Sequence, residues 1–199
     1  MQNKRTSLTP EREAKIRRVL SLRQKDLALV LANIHDPHNV SAIYRSCDAF
    51  GIPCVHLYYT YTAFPVLGAK SSASARKWVQ SVRHQSMDSL MAALKERKMR
   101  VYATSCTPQA KALGELDLTL PTAFIMGNEH SGVEQEFAGR VDGEVYIPMY
   151  GMIQSFNVSV AAAVLLAEAS RQRRAAGKYD RPSFSTDELD ALYEEWAQK

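Results

Sequence analysis

An α/β fold, built on a mainly parallel sheet with helices on both faces, is what this sequence predicts, and three observations carry the prediction. Apolar runs of strand length alternate with stretches whose apolar residues recur at helical spacing, the ordering that produces parallel strands joined by right-handed crossovers. The first such run, residues 27–34, is apolar at nearly every position and has no helix caps, as expected of a strand buried on both faces. Clusters of Gly, Ser, Asn, Glu and Arg follow three of the strands, where open sheets of this class bind ligands.

The elements follow in order. Thr9 can cap a helix whose first position suits Pro10; Ile16, Val19 and Leu20 then share one face, with Arg12, Arg17 and Arg18 mostly off it. This is a basic amphipathic helix ending near Arg23. After the strand over 27–34, Asp36-Pro37-His38-Asn39 is turn chemistry, and Val40, Ile43, Tyr44 and Cys47 form a helical stripe closed by Gly51. Residues 54–59 read as a strand, 60–75 as an irregular stretch, and 78–82 as a short strand. Ser86 caps a helix with Met87, Leu90, Met91 and Leu94 on one face. Strands are expected over 100–105, 122–127 and 144–147, with a short helix over 133–140 between the last two. A long helix spans 157–176, ended by Gly177, and a final one starts near Thr186 with Leu189, Leu192, Tyr193 and Trp196 on one stripe. Its other face is acidic, so the basic N-terminal helix or a partner subunit is the place for it to dock.

Composition narrows the function classes. With 199 residues and 46% of them hydrophobic, the chain can bury a core of its own. The order of a signal peptide is missing from residues 1–30, and the longest Ala/Val/Leu stretch, 158–169, is too short for a bilayer. A soluble, cytoplasmic protein is expected. Cys47, Cys54 and Cys106 indicate neither a disulfide framework nor a zinc site. Residues 1–25 hold eight Lys/Arg against two Glu, and residues 70–111 hold nine against Asp88 and Glu96. Clustered cations favour a polyanion such as nucleic acid, and they equally occur as plain solvated faces.

Three polar clusters carry the chemistry: residues 39–45, residues 127–132, and the strand-loop-helix junction over 147–159. In the junction, Gly151 allows close backbone approach, while Ser155, Asn157 and Ser159 can cap the helix that follows. Taken singly, each is as readily an ordinary connection; His130 reads as a loop histidine and Glu129 as a helix cap. Their order and their place at strand ends set them apart. A Gly-rich dinucleotide fingerprint and a P-loop are both missing, so neither NAD nor ATP is suggested.

Asn39-Val40-Ser41-Ala42-Ile43-Tyr44-Arg45, Met126-Gly127-Asn128-Glu129-His130-Ser131-Gly132, and Ile147-Pro148-Met149 through Gly151 to Ser155-Phe156-Asn157-Val158-Ser159 resemble, in order and separation, the three motifs of the SpoU/TrmH family of SPOUT RNA 2'-O-methyltransferases. The resemblance implies a SPOUT core over residues 26–170 with a C-terminal trefoil knot, flanked by helical extensions over 1–25 and 171–199. These extensions resemble those of the family's tRNA (guanosine-2'-O)-methyltransferases, which act on guanosine 18 of the D-loop. A homodimer is implied, with S-adenosyl-L-methionine as methyl donor, tRNA as partner and no metal. Carried over by motif, Arg45 would assist loss of the 2'-OH proton with Asn39 beside it, and Glu129, Ser155 and Asn157 would order the site. Thr104, Gly127, Ile147 and Phe156 would contact the donor, and Arg12, Arg17 and Arg18 the RNA. Phe156 stands where the family commonly has Leu, and Ser41 where it often has Gly. Alternatives in the same family act on ribosomal RNA or the tRNA wobble ribose; a non-catalytic RNA-binding module is the alternative outside catalysis.

The implied chemistry is physically sensible. A ribose hydroxyl is a poor nucleophile, so it must be held in line with the transferred methyl and relieved of its proton. A guanidinium stays protonated in water, which leaves two roles for Arg45: a base made so by a phosphate and a dry pocket, or a cation that stabilises the developing alkoxide.

Overall fold

In the computed structural model, which describes residues 8–67, 75–128, 132–133 and 135–199, the strand β1 (Leu27–Ala32) is buried at all six positions. Its side chains alternate between two cores, which is why the run is apolar throughout. Leu27, Leu29 and Leu31 meet α2 (Pro37–Ala49) through Val40, Ile43 and Tyr44, and α5 (Val158–Ala175) through Ala162, Leu165 and Leu166. Ala28, Val30 and Ala32 face the other way, onto Leu90 and Leu94 of α4 (Met87–Glu96). Helices therefore cover both faces.

The remaining strands are β2 (Cys54–Tyr58), β3 (Gln80–His84), β4 (Arg100–Thr104), β5 (Lys111–Ala112), β6 (Thr122–Met126) and β7 (Gly143–Tyr146). They form one seven-stranded sheet in the order β3-β2-β1-β6-β4-β7-β5. Every neighbouring pair is parallel, so all carboxyl ends lie along one rim.

Outside the sheet, α1 (Pro10–Ser21) packs on α6 (Thr186–Ala197), one of the two docking places expected for the terminal helix. Ile16, Leu20 and Trp196 are buried together with Trp78, Leu192 and Tyr193 around them. Thr9 and Ser185 cap the two helices. The end of α5 is fastened by Arg173, which is fully buried: it donates to the carbonyl oxygens of Leu118 and Leu120, both at 2.9 Å, and pairs with Asp26 at the foot of β1. Burying a guanidinium is tolerable only because these acceptors satisfy it.

Two local expectations change. Trp78 ends a short helix, α3 (Ala75–Trp78), and the strand begins two residues later, in register with β2 as Cys54↔Gln80. Trp78 turns instead to the terminal helices, ring centroid 4.8 Å from that of Trp196, and packing there outweighs its strand propensity. Of the helix expected over 133–140, the described residues show only a 3-10 turn, Gln135–Phe137, stopped by Gly139 at φ 73°. The two-residue strand β5 has no periodicity to betray it. No helix among the described residues is long and apolar enough to cross a membrane.

Candidate active site

The carboxyl ends of β4, β6 and β7 and the start of α5 enclose a cavity of about 700 Å³, within the usual range for small-molecule sites. At the end of β6, a Cβ on Gly127 would lie 2.0 Å from the carbonyl carbon of Gly132, so only glycine lets these two backbones meet. Asn128 and Gly132 exchange paired backbone hydrogen bonds of 3.0 Å, which close that turn. At the end of β4, the Thr104 hydroxyl donates to the Ile125 carbonyl at 2.9 Å, fixing the neighbouring strand ends. β7 stops before Pro148, and Met149, Ser155 and Phe156 of the connection to α5 line the cavity.

Asn157 joins the parts. Its Oδ1 accepts from the Ser159 backbone N–H at 2.9 Å, capping α5, and its Nδ2 donates to Asn39 Oδ1 at 3.0 Å. Asn39 lies in the first turn of α2, whose cap is Asp36, accepting from the His38 N–H at 2.8 Å. Two segments 118 residues apart thus meet through one amide pair at the cavity's edge.

All four residues expected to contact a donor, Thr104, Gly127, Ile147 and Phe156, line the cavity, and so do Ser155 and Asn157. Arg45 does not: it sits farther along α2, exposed, with no hydrogen bond or ion pair among the described residues. Glu129 lies outside the described residues. Arg12 and Arg18 are exposed on α1, whereas Arg17 pairs with Glu13 at 3.0 Å and stacks on Tyr193 at 3.9 Å.

Asn128 belonged to the second polar cluster without an assigned contact, and Ala161 and Leu165 were given no lining role, although they follow Asn157 at i+4 and i+8, the spacing of one helix face. Nothing foretold that Asn128 Nδ2 donates to the Tyr61 hydroxyl at 2.9 Å, a contact made across 67 residues.

None of the described lining residues carries a formal charge. Such a cavity suits a ligand gripped through backbone groups and apolar surface. Among the described residues no cluster of His, Cys, Asp or Glu is arranged to hold a metal ion.

Comparison with known proteins agrees with this architecture. The tRNA (guanosine(18)-2'-O)-methyltransferase of Thermus thermophilus is 42% identical over 191 residues, covering 96% of this chain and 98% of that protein. The crystal structure of the Aquifex aeolicus TrmH/SpoU tRNA modifying enzyme superposes with a TM-score of 0.87 at 36% identity, over 94% of this chain and 95% of the other. The SpoU methyltransferase AviRb from Streptomyces viridochromogenes, in complex with the cofactor AdoMet, matches with a TM-score of 0.69 at 26% identity, over 76% of this chain and 62% of that one. A family model covers residues 26–167, and on these grounds the chain belongs to the SpoU rRNA Methylase family.

Proposed function

We propose that the protein is an S-adenosyl-L-methionine-dependent tRNA (guanosine-2'-O)-methyltransferase acting on guanosine 18 of the D-loop. The observation that carries this reading is the Asn157 to Asn39 hydrogen bond at the edge of a cavity of about 700 Å³, which unites the first and third motifs at one place. The near full-length likeness to the Thermus enzyme, over 96% of this chain and 98% of that protein, favours tRNA over ribosomal RNA. The cavity's fit to the donor rests on Gly127, whose bare backbone allows close approach, and on apolar walls such as Val145, Ile147 and Leu165.

Bound there, the donor supplies an electrophilic methyl on a sulfonium that departs as a neutral thioether. This chain's residues do the rest. Asn39 and Asn157 hold the mouth of the site in shape, Ser155 and Phe156 border it, and Glu129 is assigned by its motif to ordering the site. Arg45 acts on the 2'-hydroxyl, and because it is exposed and does not line its own chain's cavity, it serves the cavity of a second copy. A homodimer supports that role: Tyr150, Met152 and Ile153, 98%, 99% and 62% exposed beside the cavity, are apolar surface that a partner would cover. The extensions over 1–25 and 171–199 flank a core over 26–170, Arg12, Arg17 and Arg18 lie toward the RNA, and the protein works in the cytoplasm without a metal.

The family's trefoil knot fits the strand order. β7, late in the chain, is inserted between β4 and β5, which both precede it, and that order supports a knotted path for the segment after it.

Mapping the methylated nucleotide after reaction with bulk tRNA tests the reading. A single 2'-O-methyl group at guanosine 18 is expected; a mark at the wobble ribose, or only in ribosomal RNA, overturns the assignment.

A further inference from the structure

Tyr61 stands at the carboxyl rim of the sheet, just past the end of β2, and is 57% exposed. Its hydroxyl accepts from Nδ2 of Asn128 at 2.9 Å, and Asn128 in turn lines the large cavity.

The ring is held from two sides. β1 runs on into Asn33, buried and in the left-handed region at φ 49°, a conformation that asparagine adopts more readily than most residues. There its Oδ1 accepts from the Thr60 backbone N–H at 3.0 Å and its Nδ2 donates to the Thr60 hydroxyl at 3.3 Å. The Tyr59 hydroxyl donates to the Ile34 carbonyl at 3.1 Å. The two residues before Tyr61 are thus tied to the end of β1, while its own hydroxyl is tied just past the end of β6.

A hydroxyl anchor lies in the plane of the ring, so it fixes the ring without covering either face. The imidazole of His35 only flanks it, tilted by 47° with centroids 6.5 Å apart, and among the described residues no cation lies over it. Fixing an exposed side chain loses rotamer entropy and returns little packing. A tyrosine placed for stability alone would turn inward, as Tyr58 does against Phe137, both of them buried with ring centroids 5.5 Å apart.

The sugar that receives a methyl on its 2'-oxygen carries its base on the adjoining carbon, so a ribose brought to the cavity brings its base to this rim. Unpaired bases are recognised by stacking on exposed aromatic faces. We propose that Tyr61 is the platform on which the base of the methylated nucleotide stacks, held beside the cavity by Asn128. The proposal rests on the tRNA reading above and adds to it the side chain that receives the base.

Tyr61→Phe and Tyr61→Ala both remove the acceptor for Asn128, and only Tyr61→Ala removes the ring, so the difference between them isolates stacking. With S-adenosylhomocysteine present, the Kd for a tRNA transcript should be at least about fivefold higher for Tyr61→Ala than for Tyr61→Phe, the low end for one base on an aromatic ring. The two variants should melt alike and bind S-adenosylmethionine alike. On a transcript whose nucleotide 18 keeps its ribose but lacks its base, they should also bind RNA alike. The proposal is overturned if the two variants bind the complete transcript equally, or if the loss in Tyr61→Ala is undiminished on the transcript without the base. Failure of the wild type to methylate any tRNA is a different result, and strikes the functional reading instead.

Discussion

The amide of Asn157 works in two directions: its oxygen caps α5 while its NH2 reaches Asn39 at 3.0 Å. Those two jobs can be separated. Asn157→Asp keeps an acceptor for the Ser159 N–H, and a carboxylate is well placed at a helix N-terminus, so thermal stability should hold. The donor toward Asn39 is lost, and methyl transfer should fall by at least about tenfold, the effect of misplacing a positioning group. Asn157→Ala loses both, adding about 1 kcal/mol of destabilisation in urea unfolding. Equal activity of wild type and Asn157→Asp would refute the coupling. The His56 and His84 pair makes a second prediction. The rings stack with Nδ1 and Nε2 2.8 Å apart, and burial, then the neighbouring His84 and Arg97, pull the His56 pKa down to about 4. The unfolded chain therefore binds a proton between pH 6.5 and 4 that the folded chain refuses. Stability should rise with pH across that window and fall by a few kcal/mol on acidification through it. His56→Gln should flatten that slope, as read from urea midpoints at several pH values.

At the scale of elements, α1 and α6 depend on each other. Each shows one apolar stripe, and Ile16, Leu20 and Trp196 are buried only because the stripes meet. Deleting residues 1–25 would remove Arg23 as well, and with it the ties to Asp48 and Ile52, so truncation cannot isolate RNA contact from folding. Substituting Arg12 and Arg18 by Ala is cleaner, because both are exposed and neither has a carboxylate partner among the described residues. The slope of log K for tRNA against log salt should become shallower by roughly 1.5, with the melting temperature unchanged. An unaltered slope would show that α1 does not touch phosphate. Arg17→Ala should behave otherwise, loosening the helix pair through its lost stacking on Tyr193.

At the scale of the whole molecule, the proposed site is completed by a second chain. Mixing Arg45→Ala subunits with Asn157→Asp subunits, under conditions that allow exchange, should restore roughly a quarter of wild-type activity, because a mixed dimer holds one cavity and one Arg45 that are both intact. Each variant alone should be nearly inactive. If the mixture stays inactive after exchange is verified, Arg45 serves its own chain or has no part in the chemistry.

Much of this was legible in the residues. The all-apolar run over 27–32 announces a strand between two layers, and the stripes of α1, α2, α4 and α6 name the faces they bury, because burial writes its period into the sequence. The cavity residues Gly127, Ile147 and Phe156 were readable from their motifs, since a motif preserves what local backbone geometry requires, and Thr104 from its place at the end of a strand. The tertiary structure decided the rest. That Trp78 leaves the sheet for Trp196, that Tyr61 reaches Asn128, and that Arg173 is buried among the carbonyls of 118–120 are outcomes of distant segments competing for the same contacts. Periodicity records which face of an element is buried but not what lies against it, and a polar side chain's partner is chosen by whichever buried group the fold would otherwise leave unsatisfied.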